Sequence, residues 1–180
     1  MNKNKRIIWT LWGCLMAANS GFVARAADAA WNVDANGNWA DNGNWNPATA
    51  PGAGDTAFFG PVLTADRTVT VDSNRAIGGL AFVNTNQFAY TLSGGSLLLA
   101  NGGVIRNAAD NGVHADVISS TIILQGDGGT ATFSADAMVP DSKLIISGNV
   151  SGAATAGKTN TLTLTGTSTN SGQNEISGVI

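Results

Sequence analysis

Cysteine, histidine and tyrosine each occur once in the 180 residues, glutamate occurs only at Glu175, and charged side chains make up 12% of the chain. Each scarcity excludes a class of chemistry. The one cysteine, Cys14, lies in an N-terminal apolar run, so no disulfide can staple the rest of the chain. A metal site built on His and Cys is excluded by count. A Ser/His/Asp triad would need His114, flanked by Asp110 and Asp116, yet no Gly-x-Ser-x-Gly elbow accompanies it. In Asn111-Gly112-Val113-His114 the imidazole reads as an exposed corner residue. No phosphate-binding loop occurs, and Gly126-Asp127-Gly128-Gly129 lacks the Gly-Gly-x-Gly-x-Asp repeat of calcium-binding β-rolls. No cofactor is expected. Apolar stripes of helical period are also missing, so helix is not expected beyond the first segment.

That first segment has a different character. Lys3, Lys5 and Arg6 precede a mostly apolar stretch, 7–18, and Ala24-Arg25-Ala26 is a small-x-small cleavage site. Residues 1–26 therefore read as a signal peptide. The apolar stretch is too short to span a bilayer, which takes about 20 such residues. Leu11-Trp12-Gly13-Cys14 loosely resembles a lipobox, an alternative in which Cys14 is lipidated. Beyond Ala26 the chain has five Lys/Arg against twelve Asp/Glu, a net charge of −7. Nucleic acid and anionic membrane surfaces want a basic face and are not expected as partners. The expected location is outside the cytoplasm, secreted or at the cell surface or outer membrane.

Gly, Asn, Ser and Thr, laced with short apolar runs, make up the remainder. Region 27–60 is rich in Trp and Asn, with Asn-Gly turns at Asn36-Gly37 and Asn42-Gly43. Region 61–180 is a procession of short β candidates, among them Thr68-Val69-Thr70-Val71, Ser96-Leu97-Leu98-Leu99, Gly103-Val104-Ile105 and Thr161-Leu162-Thr163-Leu164-Thr165. Strand centres near Leu80, Leu98, Ile122, Ile145 and Leu164 recur every 18 to 24 residues, the rhythm of stacked coils of about 20 residues. The predicted fold is all-β, a right-handed parallel β-helix (solenoid) with a Trp/Asn-rich N-terminal cap. Leu80, Phe82, Leu98, Ile122, Ile145, Leu162 and Leu164 are expected to line its core. Residues 151–158 read as a flexible linker-like stretch.

Trp31, Gly37-Asn38-Trp39, Asn44-Trp45 and Pro51-Gly52-Ala53-Gly54-Asp55-Thr56-Ala57-Phe58-Phe59, in that order, resemble the start of exported bacterial proteins with autotransporter-associated β-strand repeats. Ile77-Gly78-Gly79-Leu80-Ala81-Phe82 and Tyr90-Thr91-Leu92-Ser93-Gly94-Gly95 are similar to the usual continuation. The resemblance covers 27–180 and implies a surface or secreted β-helix of the passenger type, with no catalytic residue to carry over. Family members are usually longer and end in a barrel or sorting segment. This sequence stops at Ile180 in mid-rung, so it is read as a piece truncated at its C-terminus.

The functional expectation is a non-enzymatic structural or adhesive scaffold, with extracellular glycans or cell-surface components as partners and self-association through uncapped ends. Two alternatives stand beside it. In a polysaccharide-active enzyme, Asp110, Asp116, Asp127 and Asp136 with Arg106 would converge on one face. In a polysaccharide-binding module, Trp31, Trp39 and Trp45 would stack on sugar rings; the competing reading is that these rings plug the N-terminal end of the solenoid.

Overall fold

The computed structural model describes residues 27–108, 114–136, 142–168 and 174–180. The chain is all-β, with half of it in strands and 2% helical, and its parallel coils stack as a β-solenoid of about five turns. A cap of β1 (Ala29–Trp31), β2 (Gly37–Asn38), a 3-10 turn (Asn42–Asn44) and β3 (Trp45–Asn46) precedes the turns. The turns are β4 (Thr56–Phe59) with β5 (Arg67–Val71), β6 (Arg75–Phe82) with β7 (Tyr90–Gly94), and β8 (Ser96–Asn107) with β9 (Ala115–Ile118). Then come β10 (Thr121–Leu124), β11 (Thr130–Ala135) and β12 (Lys143–Ile146), and finally β13 (Val150–Gly152), β14 (Thr161–Thr165) and β15 (Glu175–Ile176).

Each strand of the turns pairs in parallel with its equivalents one coil away. Among the described residues the only antiparallel pair is β1 with β3, at the cap. Side chains alternate inward and outward, as the period-2 geometry of a strand demands. Inward columns run through the molecule: Ala57, Leu80, Ile105, Phe133 and Leu164 stand in register. Phe59 stacks on Phe82 with centroids 5.1 Å apart and planes at 20°. Coil after coil, up to the last, the inward apolar side chains pack against those of the next in one continuous core.

Several sequence expectations change. Leu98 and Ile145, expected inside, face outward and are half-buried, while Leu97, Leu99, Leu144 and Ile146 fill the core. Leu164 keeps its place in the inward column but is 62% exposed, since β14 pairs on one side only, with β11. The coil is longer than about 20 residues: Thr56 pairs with Gly79, Val104 with Thr132 and Thr132 with Thr163. The anticipated strands at 96–99 and 103–105 are one continuous strand, β8. Residues 151 and 152, expected in a linker, belong to β13.

The length variation is concentrated at one corner. Ile77, Leu99, Leu124 and Gly152 form one column, and Gly79, Val104, Thr132 and Thr163 form the next. Between the columns lie residue 78, then 100–103, then 125–131, then 153–162. Every coil adds three residues there, so this edge flares along the solenoid. The opposite corner, from Phe82 to Thr91 and from Asn107 to Val117, hardly changes.

Candidate functional site

The tryptophans close the N-terminal end. Trp31, Trp39 and Trp45 are 2%, 0% and 2% exposed, so none turns a ring face to solvent. Each indole N–H donates to a main-chain carbonyl: Trp31 to Val33 at 2.8 Å, Trp39 to Pro51 at 3.0 Å and Trp45 to Trp39 at 2.7 Å. Trp39 and Trp45 both pack on Phe59, the first ring of the stack below. Three large apolar rings with satisfied polar atoms cover the end of the core. In this arrangement they serve as a plug.

Aspartate and asparagine side chains staple one coil to its neighbour. Asp28 accepts from the Thr56 amide at 2.7 Å, Asp66 from Ala89 at 2.9 Å, Asp116 from Tyr90 at 2.8 Å and Asn174 from Leu144 at 2.7 Å. Asp34 accepts from the Thr64 amide and hydroxyl and from Arg67 Nε at 2.8 Å. The Arg67 and Thr64 hydrogen bonds hold its carboxyl at a pKa of about 2. These bonds span 23 to 33 residues in sequence but a single step along the axis.

The carboxylates considered for catalysis belong to the same system. Asp127 accepts from the Thr155 amide and hydroxyl at 2.8 and 3.0 Å and so anchors the flared corner. Asp136 takes hydrogen bonds from Ser134 at 2.7 Å, Arg106 at 3.0 Å and Thr167 at 3.2 Å. The Ser134 hydroxyl is the main cause of its lowered pKa. Asp116 is fully buried on β9, where burial raises its pKa against the opposing hydrogen bond from His114. Asp110 lies outside the described residues. Among the described residues no group of three His, Cys, Asp or Glu side chains could hold a metal ion.

His114 departs from expectation. Rather than an exposed corner residue it is 6% exposed, with Nε2 3.2 Å from Asp116 Oδ2. Lys143 pairs with Ala115, which places Ser142 one coil away in register with His114. Ser142 Oγ and His114 Nδ1 are both buried without a hydrogen-bond partner among the described residues. The sequence hint was the alternation His114, Asp116, Ile118, which gives all three the same inward parity. A polar seam thus runs inside the corner that leads into β9 and β12.

The solvent-facing feature is a groove on the outer wall. Between β6 and β8 the corner lengthens from residue 78 to 100–103, so the wall steps outward by one ledge. The recess below that ledge has a volume of about 500 Å³ and lies over Gly78, Gly79 and Ala81. Thr56 and Phe58 of β4 form one bank, and Asn101, Val104 and Arg106 of β8 form the other. Gly78 is glycine for a packing reason, since a Cβ there would lie 2.6 Å from the Gly54 carbonyl carbon. Phe58 is half-buried, and the Arg106 side chain is 53% exposed. A second, smaller cavity of about 170 Å³, lined by Phe133, Leu144, Leu164 and Ile176, opens at the C-terminal end.

Comparison of the chain with protein-family models, with curated proteins and with solved structures gives no match.

Proposed function

We propose that this chain is an exported, non-enzymatic β-solenoid that acts as a structural or adhesive scaffold outside the cytoplasm, in the manner of an autotransporter passenger segment. The observation that supports this reading is the use of the ionisable side chains. The described carboxylates singled out as catalytic candidates each hold a neighbouring strand or corner, and the lone histidine is buried beside Asp116. The outer wall is repetitive and mostly small or hydroxylated, with Thr56, Thr132 and Thr163 in outward positions. Such a rod gains length by adding coils without new chemistry.

Export is tested by expressing the tagged full chain in a bacterium with two membranes and weighing the product in each fraction. Mass matching cleavage after Ala26, in the periplasm or medium, is the expected result. A lipidated product beginning at Cys14 would replace soluble export by membrane anchoring. An uncleaved cytoplasmic chain would overturn the reading.

A further inference from the structure

The last coil leaves a strand edge and apolar side chains uncovered at the same end of the solenoid. We infer that this end is a homodimer interface, in which two copies join tail to tail about a two-fold axis and β14 pairs antiparallel with its own copy around Thr163. Such a joint needs only the fold, and it holds whether or not the chain is an exported scaffold.

Among the described residues β14 pairs with β11 and with no strand beyond it. The Thr161 amide donates to Gly129 O, on the β11 side, at 2.8 Å. Main-chain groups alternate sides along a strand, so those of Thr163 and Thr165 also turn to β11. Those of Leu162 and Leu164 therefore face the open edge. Natural edges are blunted by a charge, a proline or a bulge. Here Thr161-Leu162-Thr163-Leu164-Thr165 keeps an unbroken register with β11, and no charged residue or proline occurs between Lys158 and Glu175.

Apolar surface lies at the same place. Leu164, Val179 and Ile180 are three of the four exposed large apolar side chains among the described residues. Beside β14 the cavity of about 170 Å³ runs between Phe133 and Leu164 of one sheet and Leu144 and Ile176 of the other. A lone extended peptide could cover the edge of β14 but not this gap between two sheets. Another solenoid end, with two sheets at the same spacing, covers both. The N-terminal end cannot serve, because Trp31, Trp39 and Trp45 plug it. The matching surface is therefore this same end in a second copy.

The sequence of β14 fits that partner residue by residue. It is a palindrome about Thr163, so an antiparallel pair centred there sets Leu162 opposite Leu164 of the second copy and Thr161 opposite Thr165. The two leucine pairs carry the free main-chain groups, as the hydrogen-bonded pairs of an antiparallel ladder require, and Thr163 meets its copy as the non-bonded pair between them. A two-fold axis normal to the sheet keeps inward faces inward. All four leucines then lie over the joined cavities, and the threonines stay in water. The same axis brings β15 towards its own copy in the other sheet, with Glu175 exposed. A two-fold contact closes on itself, whereas head-to-tail stacking runs on into a filament. The product is a rod of double length with a tryptophan plug at each end.

Sedimentation velocity of the purified full chain over a concentration series should show a species of twice the 18.2 kDa chain mass and nothing larger. Leu164→Arg puts a charge into the joined core and should return the protein to the single-chain mass. Val104→Arg, on the outer wall two coils from β14, should leave the dimer intact. Cysteine substitution then reads the register, with Cys14→Ser making the introduced thiol the only one. Thr163→Cys should form an interchain disulfide on mild oxidation, because a non-bonded antiparallel pair sets its Cα atoms about 4.5 Å apart. Thr165→Cys should not, since its copy would lie about 14 Å away. Both side chains are exposed, so these variants leave the core untouched, and they decide the matter alone if Leu164→Arg fails to fold. A single-chain mass at every concentration, oligomers that grow beyond two, indifference to Leu164→Arg, or cross-linking through Thr165→Cys rather than Thr163→Cys would each overturn the two-fold joint.

Discussion

The indole N–H of Trp45 donates to the main-chain carbonyl of Trp39 at 2.7 Å, while the two rings meet at 57° with centroids 4.9 Å apart. One residue thus fixes the backbone of the other and packs against its ring. Both then rest on Phe59, so the cap and the aromatic stack formed by Phe59, Phe82 and Tyr90 are one continuous body.

Removing a ring from this body should cost core-like energy. Trp39→Ala is expected to destabilise the chain by about 3–5 kcal/mol, the range for a fully buried aromatic truncated to alanine. A urea titration monitored by far-UV circular dichroism measures it. Light scattering should show association at the same time, because the cavity uncovers the apolar end of the solenoid. A loss below about 0.5 kcal/mol would show that the ring is not part of the core.

Much of the architecture is legible because stacking leaves a simple trace. Thr68-Val69-Thr70-Val71 alternates, with Val69 and Val71 buried, and its strand is found where the pattern puts it. The tryptophans announce a cap because a solenoid end needs cover and Trp, Asn and Gly can supply it. Parity fails where apolar residues run together. In Leu97-Leu98-Leu99 and Leu144-Ile145-Ile146 either parity is consistent with the pattern, and a one-residue slip exchanges the faces. The coil length is hidden for another reason. A corner that grows by three residues per turn gives a drift, not a period, and strand centres from different faces then mimic a shorter repeat. The groove and the buried His114 depend on which residues meet across coils, which local pattern does not encode.

Corner geometry supplies a second prediction. Gly95, Ser120 and Gly148 stack in register at the corner leading into β8, β10 and β13. A Cβ on Gly148 would lie 2.0 Å from the Ser120 carbonyl oxygen, and one on Gly178 would lie 2.0 Å from Gly148 O. Gly148→Ala should therefore force the coils apart and destabilise by about 1–3 kcal/mol. Gly43→Ala, with nothing within 4 Å of the new methyl, serves as the control and should stay within about 0.5 kcal/mol of the parent. Chemical denaturation of both variants decides it, and equal midpoints would refute the clash.

The polar seam predicts a gain from deletion. Ser142 Oγ is buried with no hydrogen-bond partner among the described residues, so folding takes it out of bulk water with no protein partner there in return. Ser142→Ala removes that penalty at small cost in volume and should raise stability by about 1 kcal/mol. A raised melting temperature in calorimetry is the expected reading. A fall would mean that the hydroxyl is bonded, with His114 Nδ1, also unpartnered among the described residues and one coil away, as a candidate through a bridging water.

Acid and neutral limbs of the stability curve should separate two aspartates of opposite sign. Asp34 titrates at about 2 in the fold because Arg67 and Thr64 bind its charged form, against 3.8 without them. Its contribution is present above pH 3.8 and is lost as pH falls toward 2. Asp34→Asn should flatten that acid limb and leave the neutral range with a constant deficit. Asp116 behaves in the opposite sense. Burial raises its pKa above 3.8, the hydrogen bond and charge of His114 oppose the rise, and the charge of Asp66 adds to it. Its protonated form is the one the fold favours, so stability is full below pH 3.8 and falls as pH climbs through the raised value. Asp116→Asn keeps an oxygen acceptor for the Tyr90 amide and never ionises. Relative to the parent it should therefore gain stability as pH rises from about 4, reaching a plateau once Asp116 would have been fully ionised. Urea midpoints of the three proteins between about pH 2 and pH 8 trace both limbs. If the Asp116→Asn curve runs parallel to the parent above about pH 4, the carboxylate is not buried in the folded chain, and the seam around His114 is open to water.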